Sequence, residues 1–454
     1  MTTYSAVVTT GIYCRPGCGA KPLAENVRTF ELAAAAEAEG FRACLRCRPY
    51  RVAGPVDSSA PELVCRAVQL VIGGALDDST EEALARRLGI SPRHLRRLFN
   101  DHLGATPDQL ARSRRAHFAR RLLDDSDLSV TEIAFASGFG SLRQFNRAMR
   151  EVFRATPVEL RSRRRRADRL VADGGLAMRL PFTAPYDWDA IIAFLGERAV
   201  PGVESIENGV YRRTISLDGS PGMLEVQPGG VDYLLFRAHL PYWEGLIHVV
   251  ERVSRMAGID ADVSPAVTLL AADPTIGSLV SARPGVRVPG AWGPFEIAIH
   301  AIVAQHHAQD EARERMGALT RAFGQPLPGL AHGLTHLFPS AEVLKGPDVA
   351  TIDAASAGAI RELAVRVVSG DVVLDGSVAL RELVASLTAI PGVGANAAQQ
   401  VALRLGQRDA FPDSDPNVRS ALRALAYSGA AVDVASKWRP WRAIAATHLI
   451  VAAS

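Results

Sequence analysis

The sequence predicts a multidomain α+β protein, and three features carry that prediction. Four cysteines crowd the first 50 of 454 residues, an unbroken helical pattern with an internal repeat follows, and short strands then give way to a helical C-terminal part. The chain is long enough for several cores. The expected parts are a small four-cysteine domain over 1–55, an all-α double helix-turn-helix domain over 58–170, a small α+β domain over 176–285 and an α-helical helix-hairpin-helix domain over 286–454.

Cys14, Cys18, Cys44 and Cys47 are spaced C-x3-C, 25 residues, C-x2-C. Soft thiolates in this arrangement close a tetrahedral zinc site, so one Zn2+ per chain is expected. Spacing alone leaves two roles open, a structural staple and a metal-activated sulfur nucleophile. Cys65, the fifth cysteine, lies on an apolar helical pattern and reads as a packed thiol. Thiols in these numbers fit a reducing cytoplasm better than a disulfide framework. No apolar run reaches a membrane span, so no membrane partner is expected.

Charge is uneven. Residues 1–170 hold 28 Lys/Arg against 19 Asp/Glu, and the remainder holds 23 against 29. The basic front half therefore supplies most of the attraction to a polyanion.

The context of the cysteines narrows their role. Val8-Thr-Thr-Gly-Ile-Tyr-Cys14-Arg-Pro-Gly-Cys18, Leu23-Ala-Glu-Asn-Val-Arg28 and Gly40-Phe-Arg-Ala-Cys44-Leu-Arg-Cys47-Arg-Pro49 resemble the methyl-accepting zinc domain of the Ada family. The likeness runs from Thr3 to Tyr50, with fewer residues ahead of it than the family has. It implies that Cys14 takes a methyl group irreversibly from a DNA methylphosphotriester. A zinc-bound thiolate stays deprotonated yet nucleophilic, and losing its charge on methylation favours approach to DNA.

Between Pro61 and Arg161 two helical units repeat. Thr80–Leu88 leads through Gly89-Ile90-Ser91 to Pro92–Phe99, and Val130–Ala136 leads through Gly138-Phe139 to Ser141–Arg150. Thr106-Pro107 and Thr156-Pro157 follow at matching places. The second unit, I-A-x-x-x-G-F-x-S-x-x-x-F-x-R, resembles the AraC/XylS activators. That likeness implies two recognition helices in successive major grooves of double-stranded promoter DNA. Arg93, His94, Arg96, Arg97, Arg143, Gln144 and Arg147 are the candidates for DNA contact, and Leu95, Phe99, Phe139 and Phe145 for the core. An activator of this kind implies RNA polymerase as a partner once methylated. Arg161–Arg166 adds phosphate contacts, and a domain boundary is expected at 170–176.

Ala177–Phe182, Gly209–Ile215, Met223–Val226 and Tyr233–Ala238 read as strands, and Tyr186–Leu195 as a helix. Further on, Leu387-Thr-Ala-Ile-Pro-Gly-Val-Gly394 reads as a helix end, a glycine hairpin and a new helix start. Pro391, Gly392, Val393 and Gly394 thus become candidates for gripping a phosphate without reading sequence. With Phe411-Pro-Asp-Ser-Asp415 beyond it, the region 176–454 resembles the AlkA-type 3-methyladenine DNA glycosylases. The likeness implies Asp415 as the catalytic carboxylate, with Asp413 its rival, and Val288 near the residue that wedges into the space of the flipped base. Asn396 stands where bifunctional relatives carry a nucleophilic lysine, so no Schiff base is expected. The family usually has aromatics at Asn396 and Ile450, and the segment Ala304-Gln-His-His307 and Pro416 also depart from its pattern. The whole reads as a fused sensor, activator and base-excision enzyme. The alternative is a methylation-switched activator with a degenerate, non-catalytic glycosylase domain.

Overall fold

The computed structural model describes residues 3–51, 56–57, 60–170, 174–259, 261–346, 349–350 and 352–453. The chain divides into two compact units, residues 1–183 with 229–254 and 259–262, and residues 184–228 with 255–258 and 263–454. Both expected linkers lie partly outside the described residues, at 52–55, 58–59 and 171–173.

The first unit opens with a four-stranded sheet that the sequence reading did not resolve. Strand β1 (Tyr4–Val7) pairs antiparallel with β2 (Ile12–Cys14) and with β3 (Val27–Phe30), and β2 pairs in parallel with β4 (Arg42–Ala43). Helix α1 (Ala33–Ala38) follows β3.

The chain then runs through α2 (Glu62–Ile72), α3 (Glu81–Arg87), α4 (Pro92–Leu103), α5 (Pro107–Asp125), α6 (Val130–Ala136), α7 (Leu142–Phe153) and α8 (Pro157–Ser162). Local chemistry sets nearly every start. Thr80, Ser91 and Ser141 accept N-cap hydrogen bonds, and Pro92 occupies the first turn of α4, where no N–H is needed. Thr106–Gln109, Ser129–Glu132 and Thr156–Glu159 are full capping boxes. The two units end alike. Gly104 closes α4 and Arg154 closes α7, both in the left-handed region, each two residues before a Thr-Pro start. Leu95, Phe99, Phe139 and Phe145 are buried as expected.

The residues predicted as one small α+β domain contribute to both units. Strands Leu176–Pro181 and Tyr233–His239 pair antiparallel in the first. There Glu251, on the Leu246–Met256 helix, forms an ion pair with Arg114 of α5. In the second unit, Val210–Leu217 pairs with both Ser220–Pro228 and Glu204–Glu207; the last strand was not anticipated.

The rest of the second unit is helical. It includes α9 (Trp188–Glu197), α10 (Pro294–Val303), α11 (Leu380–Thr388), α12 (Ala395–Arg404), α13 (Pro416–Ala424) and α14 (Arg442–Ala453), packed around one apolar core. Among the described residues no helix is long and apolar enough to cross a membrane.

Phe145 has no exposed surface and stacks beside Phe139 with ring centroids 5.3 Å apart. Phe145→Ala should therefore destabilise the second helix-turn-helix by about 3–5 kcal/mol. Thermal melting followed by circular dichroism should show a lowered transition for the first unit.

Candidate functional site: a thiolate cluster and a capped carboxylate

The Sγ atoms of Cys14, Cys18, Cys44 and Cys47 all lie within 4.8 Å of one another. The backbone arranges this. Cys14 ends β2, Cys18 follows a turn at Gly17, and the Cys44 carbonyl accepts the Arg48 N–H to close the second knuckle. The Cys47 N–H lies 3.5 Å from Cys44 Sγ. Four thiols this close together compete for protons: hydrogen bonding from Cys14 holds Cys47 down to about 5, and that same contact with burial pushes Cys14 well up. A divalent ion lets all four ionise together, and four sulfurs at tetrahedral spacing suit zinc. Cys14 is only 6 % exposed, whereas Cys18 and Cys47 are half-buried. Cys65 Sγ donates to the Ala60 carbonyl on the half-buried start of α2, so it is less deeply packed than its pattern predicted.

Residues beside two of the four sulfurs bind α5. Tyr13, next to Cys14, donates its hydroxyl to Glu37 Oε1 at 2.6 Å, and His117 Nε2 meets the same oxygen at 2.7 Å. Arg48, next to Cys47, holds Asp168 Oδ2 at 2.6 Å. Arg51 reaches Asp124 and Asp125 at 3.1 and 3.3 Å, Tyr50 donates to Asp124 at 3.0 Å, and Arg120 pairs with Asp124. Arg179 closes the cluster on Asp125 at 2.8 Å. The sequence showed these charges but not their convergence, because the partners are far apart in the chain.

Arg93, Arg96, Arg97, Arg143, Gln144 and Arg147 are exposed on α4 and α7, and His94 is half-buried. Arg96 is paired with Glu81, Arg97 with His94, and Arg147 with Glu151 at 2.8 Å. Among the described residues Arg93 and Arg143 have no such partner, so no ion pair competes for their guanidinium groups.

In the second unit, α11, the Pro391–Gly394 hairpin and α12 form the predicted helix-hairpin-helix. Pro391, Gly392 and Gly394 are exposed, Val393 is buried, and Gly392 has φ +88°. The Gly394 N–H is not open, since Gln305 Oε1 accepts it at 2.6 Å. Gln305 Nε2 donates to the Gly392 carbonyl at 3.1 Å, so one side chain from Ala304–His307 clasps the hairpin. No side chain caps α12, which leaves its first-turn N–H groups for an anion.

Asp415 caps α13. Its Oδ1 accepts the N–H groups of Asn417 at 2.8 Å and Val418 at 3.2 Å, and its Oδ2 accepts Gln400 Nε2 at 2.8 Å. Pro416, read as a departure, occupies the first turn of α13, where its missing N–H costs nothing. Asp415 is 6 % exposed, whereas Asp413 is half-exposed and, among the described residues, accepts through its side chain only from Ser414 Oγ. Gln400 went unnoticed in the sequence, although it lies four residues after Asn396 and so on the same helical face. Val288 is half-buried against the core, and Ile450 is buried within it. A separate enclosed space of about 20 Å³, lined by Arg198, Glu204, Arg213, Glu296 and Arg404, has room for a single water. Arg213 spans Glu296 at 2.8 Å and Glu204 at 3.3 Å there, which marks an ionic core rather than a base pocket.

Comparison with known proteins follows this geometry closely. Family models match the metal binding domain of Ada over residues 2–50, a helix-turn-helix domain over 84–163 and the AlkA N-terminal domain over 177–293. The probable bifunctional transcriptional activator/DNA repair enzyme AlkA of Mycobacterium tuberculosis is 37% identical over 98% of this chain and 91% of that protein. The chain belongs to this bifunctional AlkA family. DNA-3-methyladenine glycosylase 2 of Escherichia coli is 26% identical over 60% of this chain and 95% of its own length. A 3-methyladenine DNA glycosylase structure from Archaeoglobus fulgidus, 20% identical, covers 61% of this chain and 97% of its own with a TM-score of 0.51, a likeness of fold. The chain thus joins an Ada-type zinc domain, a helix-turn-helix region and a glycosylase fold.

Asp168 offers a pH test of the cluster at α5. Burial pushes its carboxyl up, but the Arg48 hydrogen bond, with help from the Arg165 N–H and Arg51, outweighs this and holds it below the usual range. A depressed carboxyl adds stability above its unfolded value, near 4, and loses it as pH falls through the folded value. The stability gap between wild type and Asp168→Asn should therefore be full at neutral pH and close on acidification, as measured by urea titrations.

Proposed function

We propose that the chain is a DNA-alkylation-response protein with two repair chemistries and one transcriptional output. Its modules are assigned as 1–55, 58–170, 176–285 and 286–454, in keeping with the three family matches. The observation that carries the proposal is the presence on one chain of a four-sulfur cluster and a buried, three-fold hydrogen-bonded carboxylate behind a helix-hairpin-helix.

Cys14 is the methyl acceptor. Bound zinc keeps its thiolate ionised and nucleophilic at neutral pH. The Cys14 sulfur attacks the methyl carbon of a phosphotriester, the carbon–oxygen bond breaks, and the phosphodiester anion leaves. Cys14 becomes a thioether, one negative charge is lost, and approach to promoter DNA is favoured. Arg93, His94, Arg96, Arg97, Arg143, Gln144 and Arg147 meet that DNA, and the methylated form recruits RNA polymerase on the chromosome in the nucleoid.

The glycosylase half grips DNA at Pro391–Gly394, with Val288 near the vacated base position. Asp415 faces the sugar of an extruded N-alkylated purine. As the C1′–N bond breaks, its electrons go to the base. The carboxylate stabilises the positive charge on the sugar, and water adds at C1′ to give an abasic site and the free base. Asn396 offers no amine, so the reaction ends there.

A second reading, regulation without base excision, is favoured by one observation. Ile450, where an aromatic was expected, is packed in the core and unavailable for stacking.

Two measurements test these roles. After incubation with methylated DNA, mass spectrometry should find a single added methyl on Cys14, and Cys14→Ser should take up none and bind zinc more weakly. Adducts spread over the other three cysteines would remove the sensor role. Asp415→Asn should slow 3-methyladenine release by about 10²–10³ while leaving binding to undamaged DNA intact. A larger loss in Asp413→Asn, or no release by wild type, favours the second reading.

A further inference from the structure

We infer that the α12 face carrying Asn396 and Gln400 positions the Asp415 carboxylate and selects a base that bears an exocyclic amine. The inference rests on the proposed role of Asp415 and adds to it two residues and a substrate preference.

Gln400 acts through Asp415. A carboxylate swings about its terminal torsion unless both oxygens are held. Oδ1 is fixed by two backbone N–H groups at the start of α13, and among the described residues Oδ2 is fixed only by Gln400 Nε2 at 2.8 Å. Gln400 therefore sets the plane in which the carboxylate meets the sugar. It is a positioning residue, because it reaches the reaction only through Asp415.

Asn396 is different. Its Oδ1 is buried and has no hydrogen-bond partner among the described residues. An unpaired buried acceptor costs on the order of 1–3 kcal/mol, and such groups persist where a ligand supplies the donor. The position of Asn396 says which ligand. It lies one turn from Gln400 on the same face and two residues beyond Gly394, the end of the hairpin. A nucleotide whose phosphate sits at the hairpin and whose sugar sits at Asp415 brings its base along this face. An acceptor there fits the exocyclic amine of an N3-alkylated adenine. The carbonyl that replaces that amine in hypoxanthine has no proton to give Oδ1. This face carries amides, so hydrogen bonding is the selectivity it offers the extruded base.

The full-length protein, loaded with zinc, should be assayed on duplexes containing 3-methyladenine or hypoxanthine. Wild type should release the amine-bearing base faster, and Asn396→Ala should lower the ratio of the two rates at least tenfold. Gln400→Leu should lower kcat about 10–100-fold, the penalty typical of a slightly misplaced catalytic group, with KM changed less than twofold. A merely structural Gln400 would instead lower the melting temperature and raise KM along with the loss. An unchanged ratio in Asn396→Ala overturns the selection role, even if Gln400→Leu fails to fold. An unchanged kcat in Gln400→Leu overturns the positioning role. Failure of wild type to release any alkylated base strikes at Asp415 itself, a result distinct from active wild type with indifferent variants.

Discussion

Asp124, at the end of the longest helix of the first unit, places a carboxyl group where no surface is exposed. A buried carboxylate is tolerable only when it is surrounded by donors. Asp124 has them in Arg48, Arg51, Tyr50 and Arg120. Three of these donors come from the few residues after Cys47, so meeting the electrostatic demand of α5 fixes where the cysteine-bearing segment sits. The zinc module therefore docks on the helix-turn-helix region through ions that neither part can leave unpaired. The Tyr13–Glu37–His117 contact adds a second fastening on α5, close to Cys14. A change at the sulfur cluster is then one peptide bond from each fastening, on a helix that joins the two DNA-binding units.

Local signals were the legible part of this fold. The Thr, Ser and Pro residues at helix starts and the Gly89 and Gly138 turns have their effect within four residues, so the helical units could be drawn before any tertiary structure was known. The four cysteines were legible for the same reason, since two short knuckles need only a loop to meet. The sheet around Cys14 was not. Its strands are two to four residues long, too short to show an alternation, and β4 is recognisable only through its partner β2. Nor was the part played by Gln305, Gln400 or Asp168. Each of these side chains acts on an element distant in sequence, and nothing nearby announces it.

In the glycosylase half Asp415 is a helix cap, and the catalytic role proposed for it adds chemistry to that structural one. The two are compatible, because capping uses one oxygen and leaves the carboxylate's other edge to Gln400 and the space beyond. A cap is a rigid mount: its backbone bonds cannot be lost without fraying α13. That other edge has an amide for company, Gln400 on the facing helix, one turn from the amide of Asn396.

Gln305 has a consequence for how lesions are found. By spanning the hairpin from the Gly392 carbonyl to the Gly394 N–H, it gives that loop its shape in the free protein. A loop already shaped loses little conformational freedom when it meets a phosphate. The contact with backbone phosphate proposed for this hairpin is then quick to make, because no loop has to order first. A protein that must inspect a chromosome for rare damage gains from that economy, because time is spent where a base yields rather than where the backbone is merely held.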